Sequence, residues 1–182
     1  MHKLSLFIMI LFILVACEWN GPASPYTIVT PGTLKPGAVI PAPAGDVILS
    51  LTGKIGVTNV SDRLDFDLPT LERLGLIAYR VDDPDLKREI NYQGVLLKQL
   101  LDVAKIAPEA RELWAAALDD YKTSIPLELN DWPIMIATLR DGAPIPRNDK
   151  GPLEIVFPNK SYQIDPDYNR MWVWQLRSLE VR

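Results

Sequence analysis

The sequence has one cysteine, Cys17, and one histidine, His2, in 182 residues. From Glu18 onward it has neither thiol nor imidazole. That removes the thiolate nucleophile and the Ser-His-Asp triad from the main body of the chain. It removes a Cys or His zinc site as well, and any structural disulfide. Acid–base chemistry past this point falls to carboxylates, lysines and tyrosines. A phosphate-cradling Walker loop is missing too: Gly53-Lys54 is followed by Ile55, with no glycine five residues upstream. Lysines and arginines form no cluster, so nucleic acid is not an expected partner. The apolar run from Leu4 to Ala16 is too short to span a bilayer as a helix, which takes about 20 residues.

What is present begins with that run. His2 and Lys3 precede it and small Ala16 closes it, the pattern of a secretory signal. Leu14-Val15-Ala16-Cys17 resembles the lipobox of bacterial lipoproteins. The resemblance implies a signal peptide over 1–16, cleavage before Cys17 and acylation of its sulfur, with two or three acyl chains giving stable membrane anchoring. Glu18 stands where the inner-membrane retention signal has Asp, so a periplasm-facing lipoprotein of the outer membrane is expected. Cleavage removes one of the 19 basic residues, leaving 18 against 23 acidic ones, a net of −5. Residues 17–45 are rich in Pro and Gly and poor in charge, which reads as an extended tether. Residues 46–182 are long enough for one domain with its own core.

Within 46–182 the pattern mixes strands with one or two helices, an α+β class. "DVILSLTGK" alternates as an edge strand and "LIAYRVDD" as a strand with Ile77, Tyr79 and Val81 on one face. "DRLDFDLPTLERLG" reads as a short strand followed by a helical turn opened by Pro69. "YQGVLLKQLLDVAKIA" has the clearest 3.6 period, and "PEARELWAAALDDY" has helical propensity throughout. "WPIMIATLRDG" and "GPLEIVFP" read as strands, and "NRMWVWQLRSLEVR" as a long final strand. Carboxylate groups at Asp62, Asp65, Asp67 and at Asp82, Asp83, Asp85 lack EF-hand spacing and read as solvated loops.

Five segments in order, "YQGVLLKQLLDVA", "ALDDYKTSIPL", "WPIMIATLRDGAPI", "GPLEIVFP" and "WVWQLRSLEV", resemble the oxidoreductase molybdopterin-binding domain, the sulfite oxidase fold. The resemblance implies mixed β-sheets with a few helices, and makes "LWAAALDDY" a strand against its propensity. In the enzymes of this family a cysteine shortly before the Gly-Val helix ligates molybdenum. Here that region is "LIAYRVDDPDLKREINYQGV", without cysteine, and neither Ala78 nor Arg80 replaces a soft thiolate. "MHKLSLF" also lacks the arginine pair of the export route used by folded molybdoproteins.

The resemblance therefore implies a pterin pocket without its metal: no catalytic residue, no metal ligand, no molybdenum, and a pterin as ligand. It is similar to a group of small periplasmic pterin-binding proteins that regulate a membrane-bound cyclic-di-GMP enzyme or a related sensor, such as a sensor kinase, through its periplasmic domain. A pterin needs a stacking surface and a carboxylate or carbonyl facing its donor edge. The candidates are Asp119, Asp120 and Tyr121 in "ALDDYKTS", Trp132, Arg140, Arg80, and Arg170 with Trp172. Period-2 spacing puts Trp172 and Trp174 on one strand face. Two other functions compete: a molybdopterin-dependent oxidoreductase subunit, and an envelope lipoprotein that binds only protein.

Overall fold

The computed structural model describes residues 25–159 and 166–182. The leader and Cys17 lie outside the described residues. Among the described residues no helix is long and apolar enough to cross a membrane.

In chain order the elements are β1 (Thr27–Thr30), β2 (Leu49–Gly53), β3 (Leu64–Phe66), α1 (Leu68–Glu72), β4 (Leu76–Asp82), β5 (Glu89–Leu96), α2 (Leu97–Ala104), β6 (Glu112–Ala117), β7 (Lys122–Pro126), β8 (Met135–Arg140), β9 (Ala143–Pro144), β10 (Glu154–Val156) and β11 (Leu176–Val181). One sheet runs β1-β4-β5-β8-β10, with β9 beside β8, and its pairings are antiparallel. The other runs β3-β2-β11-β6-β7, antiparallel except for the parallel pair β2–β11. Side chains of both sheets meet in one continuous core that includes Leu49, Leu51, Tyr92, Ile136 and Leu179. The antiparallel sheet and the mixed sheet, with few helices, are the α+β, sulfite-oxidase-like arrangement that the resemblance implies.

Three local readings change. The strong helical period of "YQGVLLKQLL" spans a junction: Asn91 to Leu96 belong to β5, pairing with β8 through Val95–Ile136 and Leu96–Met135, and the helix starts at Leu97. A run that is apolar all round satisfies a buried strand and a helix equally. "ELWAAA" is strand β6, as the resemblance implies and against its alanine content. It sits between β7 and β11, which take its backbone groups on both edges and bury Leu113, Ala115 and Ala117. β2 is an interior strand, flanked by β3 and β11.

The stretch expected to be a tether through residue 45 is part of the domain from Thr27 onward. β1 pairs with β4, and Leu34 and Ile40 are buried in the core. Gly32 lies so close to the end of the first helical turn that a Cβ there would meet the Leu74 carbonyl oxygen at 2.1 Å. The end of the stretch is tied down by Asp67, which caps α1 by accepting from the Thr70 amide and also accepts from the Ala44 and Gly45 amides, each at 3.0 Å. These bonds, the Thr70 side chain first, hold the Asp67 carboxyl down at about 2. Composition hid this because proline and glycine lower the expected burial, while two well-placed aliphatic side chains supply it. A chain beginning at Asp46 is expected to be about 2–4 kcal/mol less stable than one beginning at Pro25, since it leaves the sockets of Leu34 and Ile40 open. Parallel urea melts of the two check this.

Candidate functional site

Where the C-terminal end of β6 meets the approach to β11, a cleft of about 560 Å³ opens. Its walls come from three segments. The β6–β7 turn gives Asp119 and Tyr121. The loop before β10 gives Asn148, Asp149 and Lys150. The stretch from Asn169 to Gln175 gives Trp172 and Trp174.

The segments are held to one another by hydrogen bonds. The Leu118 amide donates to the Gln175 carbonyl at 2.9 Å, and the Gln175 amide donates to the Lys150 carbonyl at 2.6 Å. The Gln175 side-chain amide donates to the Arg147 carbonyl at 2.7 Å. The Tyr121 hydroxyl donates to the Arg170 carbonyl at 2.7 Å. Within the turn, the Tyr121 amide donates to Asp119 Oδ1 at 3.1 Å, with Asp120 in the left-handed region at φ 66°. This Asx-type bond aims the turn and explains why aspartate suits it.

Aromatic surface dominates the cleft. Trp172 is 5% exposed and Trp174 is 38% exposed. The Lys150 ammonium sits 3.8 Å from the Trp174 ring centroid, a cation–π contact. Two residues of the lining hold a buried polar atom with no hydrogen-bond partner among the described residues: Trp172 Nε1, a donor, and Asn169 Oδ1, an acceptor. Leaving a buried polar group unpaired costs about 1–3 kcal/mol, so such atoms mark places where a ligand or water completes the set.

Of the eight candidates, Asp119, Tyr121 and Trp172 line the cleft. Arg170 contributes its carbonyl to the Tyr121 latch. Arg140 does not line the cleft; it pairs with Asp149, which does, and it reaches toward buried Glu154 at 3.7 Å. Arg80 is away from the cleft on β4, paired with Glu89 at the surface. Asp120 is exposed and faces Arg177 at 3.6 Å. Trp132 packs edge-on against Tyr168 at 5.1 Å between centroids, and Tyr168 stacks on Phe157, so it is apolar packing.

Trp172 and Trp174 are not on a strand, since β11 begins at Leu176. Both reach the cleft because the chain turns there, with Gln175 in the left-handed region at φ 50°. Sequence reasoning missed Asn148, Asp149, Lys150 and Gln175. The polar run Arg147-Asn148-Asp149-Lys150 immediately before the Gly-Pro strand was the available signal, because polar loops at strand ends carry sites. The two expected carboxylate loops also have structural work: Asp65 pairs with Arg63, Asp67 is the helix cap, and Asp83 is buried.

Among the described residues no group of His, Cys, Asp and Glu forms a metal site. They contain no cysteine or histidine, so no thiolate or imidazole ligand is available to a molybdenum centre from them. The cleft lining offers aromatic faces and polar groups but no thiolate or imidazole.

The cleft thus lies at the loop ends of an α+β fold of one antiparallel and one mixed sheet. The family model for the oxidoreductase molybdopterin binding domain matches residues 75–163, so that span carries the sulfite-oxidase-like domain the resemblance implies. Among solved structures, the sulfane dehydrogenase SoxCD from Paracoccus pantotrophus is similar in fold, with a TM-score of 0.58 and 19% identity over 90% of this chain. The chain spans about half of that one, 49%. None of the curated proteins matches.

Proposed function

We propose that this protein is a non-catalytic binding module that holds a pterin in the Tyr121–Trp172–Trp174 cleft. The observation that carries the reading is the pairing of aromatic walls with an unsatisfied donor, Trp172 Nε1, and an unsatisfied acceptor, Asn169 Oδ1. A pterin edge has the complement: a ring carbonyl to accept, and N3–H and 2-amino groups to donate. Asp119 supplies a further acceptor at the rim, and Lys150 supplies charge over one ring face. The missing thiolate favours binding over redox turnover. The lipobox motif supports a periplasm-facing lipoprotein, and the resemblance to small periplasmic pterin-binding regulators supports a membrane-bound signalling partner, a cyclic-di-GMP enzyme or a sensor kinase.

Calorimetric titration of the purified protein with reduced and oxidised pterins, with a metal assay on the same sample, tests this. Stoichiometric binding without molybdenum is expected. Trp172→Phe keeps the apolar plate and deletes one donor, so it should weaken binding about 5–20-fold. Asp119→Asn should weaken it about 10–100-fold if the carboxylate meets the donor edge. No heat with any pterin would sink the reading.

A further inference from the structure

Behind the cleft lies a buried charged network. Glu154, on β10, has no exposed surface. The Tyr92 hydroxyl faces two carboxylates, Asp83 Oδ2 at 2.7 Å and Glu154 Oε2 at 3.2 Å. It has one proton to give, so it serves one of them at a time. Asp83 is better supplied, since its other oxygen accepts from the Asp85 and Leu86 amides at 2.9 and 2.6 Å. Glu154 Oε1 has no hydrogen-bond partner, and neither has Arg140 Nη1, which stands 3.7 Å away. A proton on Glu154 Oε2, donated to the Tyr92 oxygen while the Tyr92 hydroxyl donates to Asp83, would complete the set.

The network reaches the cleft at two adjacent wall residues. Arg140, 12% exposed, donates to Asp149. Lys150, beneath which Trp174 lies, donates to Asp85, two residues from Asp83. The charged and titratable groups around Glu154 are Asp83 and Asp85 from the β4–β5 connection, Tyr92 from β5, Arg140 from β8, and Asp149 and Lys150 from the loop before β10. The Arg88–Asp141 pair lies beyond Arg140.

We propose that Glu154 is a proton-operated brace for the cleft. With the proton bound, Arg140 belongs to Asp149 and the wall is held. With it lost, the Glu154 carboxylate draws Arg140 inward and the wall at Asp149 and Lys150 slackens, taking the Lys150–Trp174 contact with it. Burial, opposed by Arg140, pushes the Glu154 carboxyl up to about 7, which places the change in an accessible range. The device acts on the wall itself and does not depend on which ligand the cleft takes.

The test uses ligand-free protein, so its outcome is separate from pterin binding. Tryptophan emission would be followed from about pH 5.5 to 8.5, with Trp174→Phe as the subtraction that isolates Trp174. A one-proton transition centred near neutrality is expected in the parent. It should vanish in Glu154→Gln and also in Asp149→Asn. The second change is at an exposed residue, so it carries the test alone if the buried one prevents folding. A flat parent curve, or a transition that survives in either variant, overturns the proposal.

Discussion

Gly94→Ala is expected to destabilise the domain by about 3–5 kcal/mol, among the largest effects available to a single methyl group. A Cβ at this position would stand 2.1 Å from the Ile136 carbonyl oxygen and 2.6 Å from the Ala137 Cα. Both are backbone atoms of β8, which is itself held between β5 and β10, so the clash cannot be relieved by a rotamer. The site also coincides with the shift in register between Gln93 and Gly94. Gly142→Ala is the matched control: its φ is +82°, yet a Cβ there meets nothing within 4 Å. It should cost only about 1 kcal/mol from backbone strain. Urea denaturation of the two variants side by side gives the comparison. A loss below about 1 kcal/mol at Gly94 would mean that the two central strands part more easily than their pairing implies.

Arg140→Met should cost about 3–5 kcal/mol at pH 8 and only about 1 kcal/mol at pH 5.5. At the higher pH, removing the guanidinium leaves ionised Glu154 buried without its nearest cation, or forces it to take a proton. At the lower pH Glu154 is already neutral, and only the half-exposed contact to Asp149 is lost. The sign for the parent protein follows from the same group. Its folded-state carboxyl is raised, to about 7 from the ordinary 4.5. Its contribution is therefore fully present below the ordinary glutamate range and is lost as pH rises through neutrality, by on the order of 3 kcal/mol. Asp67, held at about 2, works the other way but only in strong acid. Melts at the two pH values, for parent and variant, separate these effects. Equal losses at both would show that Arg140 acts through packing alone.

The sequence carried the architecture through order more than through propensity. Five weak segments in the right succession implied the sheets, and the same order overruled the helical look of "ELWAAA", whose strand state is decided by neighbours on both edges. Propensity could not see the β5–α2 junction, because Val95 and Leu96 are as apolar in the strand as Leu100 and Leu101 are in the helix. Nor could it see that Leu34 and Ile40 anchor a proline-rich stretch.

The site was half legible. Asp119, Tyr121 and Trp172 were reachable because motif position implied them. Lys150, Asp149 and Gln175 were not, since their place in the cleft depends on a loop from one sheet lying against the end of the other. Arg140 and Trp132 had the right chemistry and the wrong surroundings: one answers to a buried carboxylate and the other to Tyr168.

The parallel pairing of β2 with β11 has a consequence for how the chain matures. β11 fills the centre of its sheet, with β2 on one side and β6 on the other. Until that last strand arrives, β2–β3 and β6–β7 are two separate hairpins with naked inner edges, and the Leu179 and Val181 sockets stand empty. Such long-range closure is entropically late, so this sheet should complete in one cooperative step once β11 is available. A chain interrupted before Leu176 is thus a substrate for chaperones and proteases.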